Sequence, residues 1–155
     1  MMNREFKAEE YKSKKEIKVR YDDLDTLGHV NNKTYLSYLE ESRIQYMTDV
    51  LGFKKESLDF DVVVGRIDIS YFSPLHLNDT VFVYTGISRI GEKSFDFQCY
   101  ITKTLNEKDV PAAYAVVTMV SVDQKTGKTK PNEQEMVKAV LAFETIKPEF
   151  NTNQK

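Results

Sequence analysis

Apolar and polar residues begin to alternate at Ile17, Val19 and Tyr21, a period of two that predicts a strand. An acidic, Gly-containing stretch follows, Asp22-Asp23-Leu24-Asp25-Thr26-Leu27-Gly28-His29, and predicts a loop. Asn31-Asn32 then predicts a helix entry, because Asn side chains accept hydrogen bonds from the orphan N–H groups of a first turn. Apolar positions at Tyr35/Leu36, Leu39, Tyr46/Met47 and Val50/Leu51, spaced by threes and fours, predict a helix from about Asn32 to Leu51, with Gly52 as its stop. Beyond Gly52 the period returns to two. Val62, Val64, Ile67, Ile69 and Tyr71 predict a long strand with a bulge at Gly65, ended by Ser73-Pro74. Val81, Val83 and Ile87 alternate with Phe82 and Tyr84, and Phe95, Phe97, Cys99 and Ile101 give the cleanest one-faced pattern in the chain. Gly91 separates these two strands. Val110 to Val122 is apolar on both faces and predicts a central strand, followed by a turn at Lys125-Thr126-Gly127-Lys128. A last helix is predicted from Asn132, with Glu135 in capping-box position and an apolar side of Met136, Val137, Val140, Leu141 and Phe143, ending at Pro148.

The order is strand, long helix, about four long strands, short helix. Consecutive strands rather than alternating strands and helices make this an α+β fold, with the long helix as the natural cover for one face of an antiparallel sheet. The boundaries predict one domain over 15–147, a polar, partly flexible segment over 1–14 and a flexible tail over 148–155.

Composition narrows the function classes. A chain of 155 residues is one domain's worth and can bury a core without staples. With 22 Lys+Arg against 24 Asp+Glu, the net charge of −2 gives no basic field to hold nucleic acid. Cys99 is the only cysteine, so no intrachain disulfide can form and a cysteine-only zinc site is disfavoured. The start lacks the apolar segment of a signal peptide, and no run of about 18 apolar residues is present to enter a membrane. The expectation is a cytoplasmic protein.

Candidate chemistry concentrates between Asp22 and Asn32. Asp25, His29, Asn31 and Asn32 lie directly before the longest helix. A helix N-terminus carries unpaired N–H groups and about half a positive charge, so it can polarise a carbonyl and stabilise an oxyanion. A carboxylate beside it can attack the polarised carbon directly or through water. Taken alone, an acidic loop before a helix is more often a cap or a solvated turn. His29 and His76 are the only histidines and lack metal-ligand spacing, so no metal is assigned.

Two stretches carry a resemblance. Residues Val19 to Asn32, with Asp25-Thr26-Leu27-Gly28-His29-Val30-Asn31-Asn32, followed by Tyr35-Leu36-Ser37-Tyr38-Leu39-Glu40-Glu41-Ser42-Arg43, resemble the 4-hydroxybenzoyl-CoA thioesterase family, and His29-Val30-Asn31-Asn32 is similar to a segment of acyl-ACP thioesterases. The second stretch is Asp68-Ile69-Ser70-Tyr71-Phe72-Ser73-Pro74-Leu75, then Asp79-Thr80-Val81 and Ile90-Gly91-Glu92-Lys93-Ser94-Phe95. Together they span 17 to about 122. The resemblance implies a hotdog fold, a curved antiparallel sheet of five to six strands around one long helix, assembled as homodimers or homotetramers with sites at the dimer interface. It places Asp25 on the catalytic carboxylate and Asn32 on the position whose backbone N–H faces the thioester carbonyl. His29 and Asn31 match site residues of acyl-ACP-type members, whose acidic partner falls on Glu41. Asn32 and Glu41 are separated by about 13.5 Å of helix rise, a span suited to a role across an interface; the alternative for Glu41 is a surface salt bridge.

For the substrate, Tyr35, Tyr38, Leu39, Val64 and Tyr71 are candidate acyl liners, although core packing is the better account of most of them. Arg66, Arg89 and Lys93 are candidates for the nucleotide phosphates of CoA or for an acidic carrier protein, and an ordinary solvated face explains these equally. The leading expectation is hydrolysis of acyl-CoA or acyl-ACP to free acid and thiol, without a metal or redox cofactor. The alternatives are a non-catalytic acyl-thioester binder and, through His29, a 3-hydroxyacyl thioester dehydratase.

Overall fold

A computed structural model describes residues 5–54 and 61–151. Its elements in chain order are β1 (Ser13–Ile17), α1 (Thr34–Val50), β2 (Val62–Tyr71), β3 (Val81–Gly91), β4 (Ser94–Leu105), β5 (Lys108–Ser121), α2 (Gln134–Phe143) and β6 (Glu149–Asn151), with short 3-10 turns at Ala8–Glu10 and Tyr21–Asp23. The strands form one sheet in the order β1-β3-β4-β5-β2, with β6 added alongside β3. Every pairing is antiparallel except the short parallel β3–β6 pair. The fold is the hotdog architecture, a curved six-stranded sheet with α1 against one face.

Alternation explains which face receives α1. Phe95, Phe97, Cys99 and Ile101 on β4, with Val117 and Met119 on β5, are buried under the helix. Tyr46 of α1 meets Phe97 edge-on at 5.3 Å between ring centroids. The opposite face carries a cross-strand row, Tyr84↔Tyr100↔Tyr114. The predicted bulge is present: the β2–β5 register shifts between Val64 and Arg66, and a Cβ on Gly65 would stand 2.9 Å from Val120 Cγ2.

Several local expectations differ from the structure. β1 runs over Ser13–Ile17 and not through Val19 and Tyr21; Tyr21 lies in a 3-10 turn. The segment before it is packed from Phe6 onward, because Phe6 lies 4.8 Å from the Tyr100 ring and 5.1 Å from Tyr84, covering the back of the sheet. At the other end, Glu149–Asn151 pairs with Arg89–Gly91. α1 begins at Thr34, and Asn31 precedes it as a turn: its Oδ1 accepts from Lys33 N at 3.1 Å and its carbonyl from Thr34 N at 2.8 Å. The capping box at Asn132 does not form. Asn132 is buried, donates to the carbonyls of Gly91 and Ser94 at 2.9 Å each, and accepts from Ser121 Oγ, so the helix starts two residues later without a side-chain cap.

Candidate active site

The loop from Asp22 to Val30 is folded by its own backbone. Asp25 N donates to His29 O at 2.7 Å, and Gly28 N donates to Asp25 O at 3.1 Å. Gly28, at φ +79°, takes the left-handed conformation this return requires. Asp25 Oδ1 accepts from Leu27 N at 2.8 Å and His29 N at 3.1 Å. Oδ2 has no donor among the described residues, so one carboxylate oxygen holds the loop and the other is unengaged.

The chain then turns into α1. Asn31 N donates to Asp23 O and Val30 N to Leu75 O, both at 2.8 Å, tying the loop to the segment after β2. Tyr38 Oη donates to Asp23 Oδ2 at 2.8 Å, and burial with that carboxylate holds the Tyr38 phenol well above its ordinary pKa. Tyr71 Oη donates to the Asn32 carbonyl at 3.0 Å, clamping the first peptide of the helix entry to the end of β2. The N–H of Asn32 has no acceptor among the described residues and so remains available at the positive end of α1.

Asp25, His29, Asn32 and Tyr35 border a cleft of about 250 Å³ whose far wall is Tyr71, Phe72, Ser73 and Pro74. Tyr35 is buried and meets the Tyr71 ring edge-on at 4.9 Å; burial raises both phenols above their ordinary pKa. The structure therefore brings together four of the expected residues, and Asn31 stands behind them as a turn residue. Glu41 lies further along α1, exposed, outside the cleft lining and without an ion pair among the described residues. The three candidate phosphate cations are also elsewhere. Arg66 is exposed beside Asp68 at 3.4 Å, Lys93 is exposed in the β3–β4 turn, and Arg89 is held by Asp96 through contacts of 2.8 and 2.9 Å and by Ser94 Oγ at 2.9 Å.

Sequence reasoning missed two supports of the site. The His76 ring stands edge-to-face with His29 at 5.0 Å, and His76 Nδ1 lies 3.5 Å from Asp79 Oδ2. Phe72, Ser73 and Pro74, which the chain pattern marks only as the end of a strand, form the cleft's far wall. Their place in the second motif is the signal that could have found them. Cys99 plays no part here: fully buried, its thiol is pushed up to about 11 by loss of solvent.

Comparison with known proteins gives the family of the chain. Residues 19–140 match the family model described as the thioesterase-like superfamily. The long-chain acyl-CoA thioesterase FadM of Escherichia coli is 33% identical over 122 residues, covering 78% of this chain and 91% of FadM. The chloroplastic acyl-acyl carrier protein thioesterase ATL2 of Arabidopsis thaliana is 30% identical over 118 residues, covering 74% of this chain and 61% of ATL2. A crystal structure of a Thermus thermophilus thioesterase complexed with coenzyme A and Zn superposes with a TM-score of 0.76 at 29% identity, over 86% of this chain and 95% of that one. With a family match across four-fifths of its length and a hotdog sheet around α1, the chain belongs to the thioesterase-like superfamily.

Proposed function

We propose that the chain hydrolyses acyl-CoA thioesters, with Asp25 as general base or nucleophile and the Asn32 backbone N–H polarising the thioester carbonyl. One observation carries the reading: Asp25 Oδ2 and the Asn32 N–H, both unengaged among the described residues, border the same cleft at the start of α1. Charge that develops on the carbonyl oxygen is met by an N–H at the positive helix end, fixed in place before the reaction begins. Water deprotonated by Asp25, or Asp25 itself, adds to the carbonyl carbon. The C–S bond then breaks, the thiolate leaves and takes a proton, and the acid is released. If Asp25 attacks directly, water hydrolyses the resulting anhydride.

FadM's name and the coenzyme A in the Thermus structure support CoA as the leaving group. ATL2's name keeps the carrier-protein thioester as the alternative. With Arg89 engaged by Asp96, Arg66 and Lys93 are the candidate cations left to meet phosphates. A homo-oligomer, dimer or tetramer, is part of the same reading, because β2 ends the sheet beside the cleft with an edge unpaired among the described residues.

The test is Asp25→Asn, assayed by thiol release across acyl-CoAs of graded length. Asn retains an Oδ1 for the Leu27 and His29 amides while removing the charge. The expected outcome is a kcat loss of roughly 10²-fold or more with an unchanged melting temperature. A variant that keeps more than about a tenth of wild-type kcat refutes the role of Asp25.

A further inference from the structure

Arg43 lies 5% exposed in the middle of α1, and its Nη1 is buried without a hydrogen-bond partner. No ion pair or hydrogen bond reaches its guanidinium among the described residues. A guanidinium cannot shed its proton at neutral pH, and a buried unpaired charge costs several kcal/mol. Glu40 acts on it through space from the rim but does not approach within ion-pair distance. Arg43 borders a cavity of about 180 Å³ whose other walls are Glu40, Ile44 and Met47 of α1, Val62 to Val64 of β2, and Met119 of β5, all apolar except Glu40.

The position of that cavity gives the cation a use. α1 and β2 lie so that the start of the helix faces the end of the strand. The Asp25 cleft is bordered by Asn32, Tyr35, Tyr71 and Phe72, whereas the Arg43 cavity is bordered by mid-α1 and by the start of β2. Both therefore border α1 and β2, one at each end of the pair. From Asn32 to Arg43 the helix rises about 16 Å, a length spanned by an extended chain on the order of a dozen carbons. An acyl chain extended from the thioester alongside α1 to this cavity would meet its apolar walls and the buried Arg43 cation.

We propose that Arg43 is a specificity-determining residue that receives the distal carboxylate of the acyl chain, so that the preferred substrates are thioesters of dicarboxylic acids bearing one free carboxylate end. The proposal rests on the thioesterase reading above and names its substrate class. Guanidinium and carboxylate match as a two-pronged pair, and the low-dielectric wall strengthens their attraction.

The experiment compares dodecanedioyl-CoA with dodecanoyl-CoA in wild type, Arg43→Met and Arg43→Lys, and in parallel measures binding of the free diacid and monoacid by calorimetry. Wild type is expected to favour the diacyl thioester by about tenfold or more in kcat/KM, mainly through KM. Arg43→Met reverses the preference, and Arg43→Lys restores part of it. Wild-type preference for dodecanoyl-CoA, or the same ratio in Arg43→Met, overturns the proposal, and the first needs no variant to fold. If neither thioester is cleaved, the Asp25 reading fails and diacid binding decides alone: tighter diacid binding that is lost in Arg43→Met upholds the Arg43 site, and equal binding of both acids sinks it.

Discussion

In the proposed mechanism Asp25 divides its carboxylate between structure and chemistry, and the two uses separate by substitution. Oδ1 satisfies the amides of Leu27 and His29, so Asp25→Ala strands two donors and costs about 1 kcal/mol of stability in addition to activity. Asp25→Asn spares the loop, and the difference in melting temperature between the two variants measures the structural share. Asn32 presents the reverse case, because the proposed group is its backbone N–H. Asn32→Ala keeps that N–H and is expected to stay within about tenfold of wild-type kcat, whereas Asn32→Pro deletes the donor and is expected to lose about 10²-fold or more. Equal kcat losses in steady-state assays of the two variants would move the oxyanion donor elsewhere.

Between elements, one carboxylate repairs a gap. β1 pairs with β3 over Val81–Thr85 and β6 pairs with it over Arg89–Gly91, leaving the edge between them without a strand partner among the described residues. Glu144, just past α2, fills the gap: its Oε2 accepts from Ile87 N at 3.1 Å and from the Tyr46 hydroxyl of α1. Burial raises its carboxyl above the ordinary value of 4.5 despite the hydrogen bonds and the charges of Lys12 and Lys147. The folded protein therefore binds this proton more tightly than the unfolded chain. The associated stability is fully present below about pH 4.5 and is lost as pH rises through the raised native value, at about 1.4 kcal/mol for each pH unit between the two. Glu144→Gln keeps an acceptor oxygen and does not titrate. Its melting temperature relative to wild type is expected to rise between about pH 5 and about pH 8, and a difference independent of pH refutes the assignment. Such long-range pairing also marks the limit of what the chain pattern discloses. The long strands and α1 are legible because each buries one periodic face. Glu144 and Asn132 are not, since Asn132 matches a helix cap locally yet is taken up by Gly91, Ser94 and Ser121 far along the chain. The loop that sets Asp25 and Asn32 on one cleft is legible because sequence neighbours build it, while the His76 contact with His29 comes from another loop.

At the scale of the molecule, the sheet ends in β2, a ten-residue strand flanking the cleft. Val63, Val64 and Tyr71 on it and Phe72 just past it are 48%, 43%, 44% and 54% exposed, an apolar border beside a strand edge that has no partner among the described residues. Such an edge is a template for another strand, and pairing with a second copy satisfies both the backbone and the apolar side chains. Because the Asp25 cleft and the Arg43 cavity both border α1 and β2, a partner strand at β2 would also wall the proposed site. Activity is then expected to depend on assembly. Val63→Lys changes a side chain that is half exposed in the single chain, so its effect on protomer stability is expected to remain within about 0.5 kcal/mol. The same charge on a paired edge meets its own copy and opposes association. Sedimentation is expected to show wild type as a dimer or larger at micromolar concentration and the variant shifted toward monomer. Its specific activity should be low when dilute and recover as concentration rises. A fully active wild-type monomer would mean that the β2 edge is capped in some other way and that one chain builds the whole site.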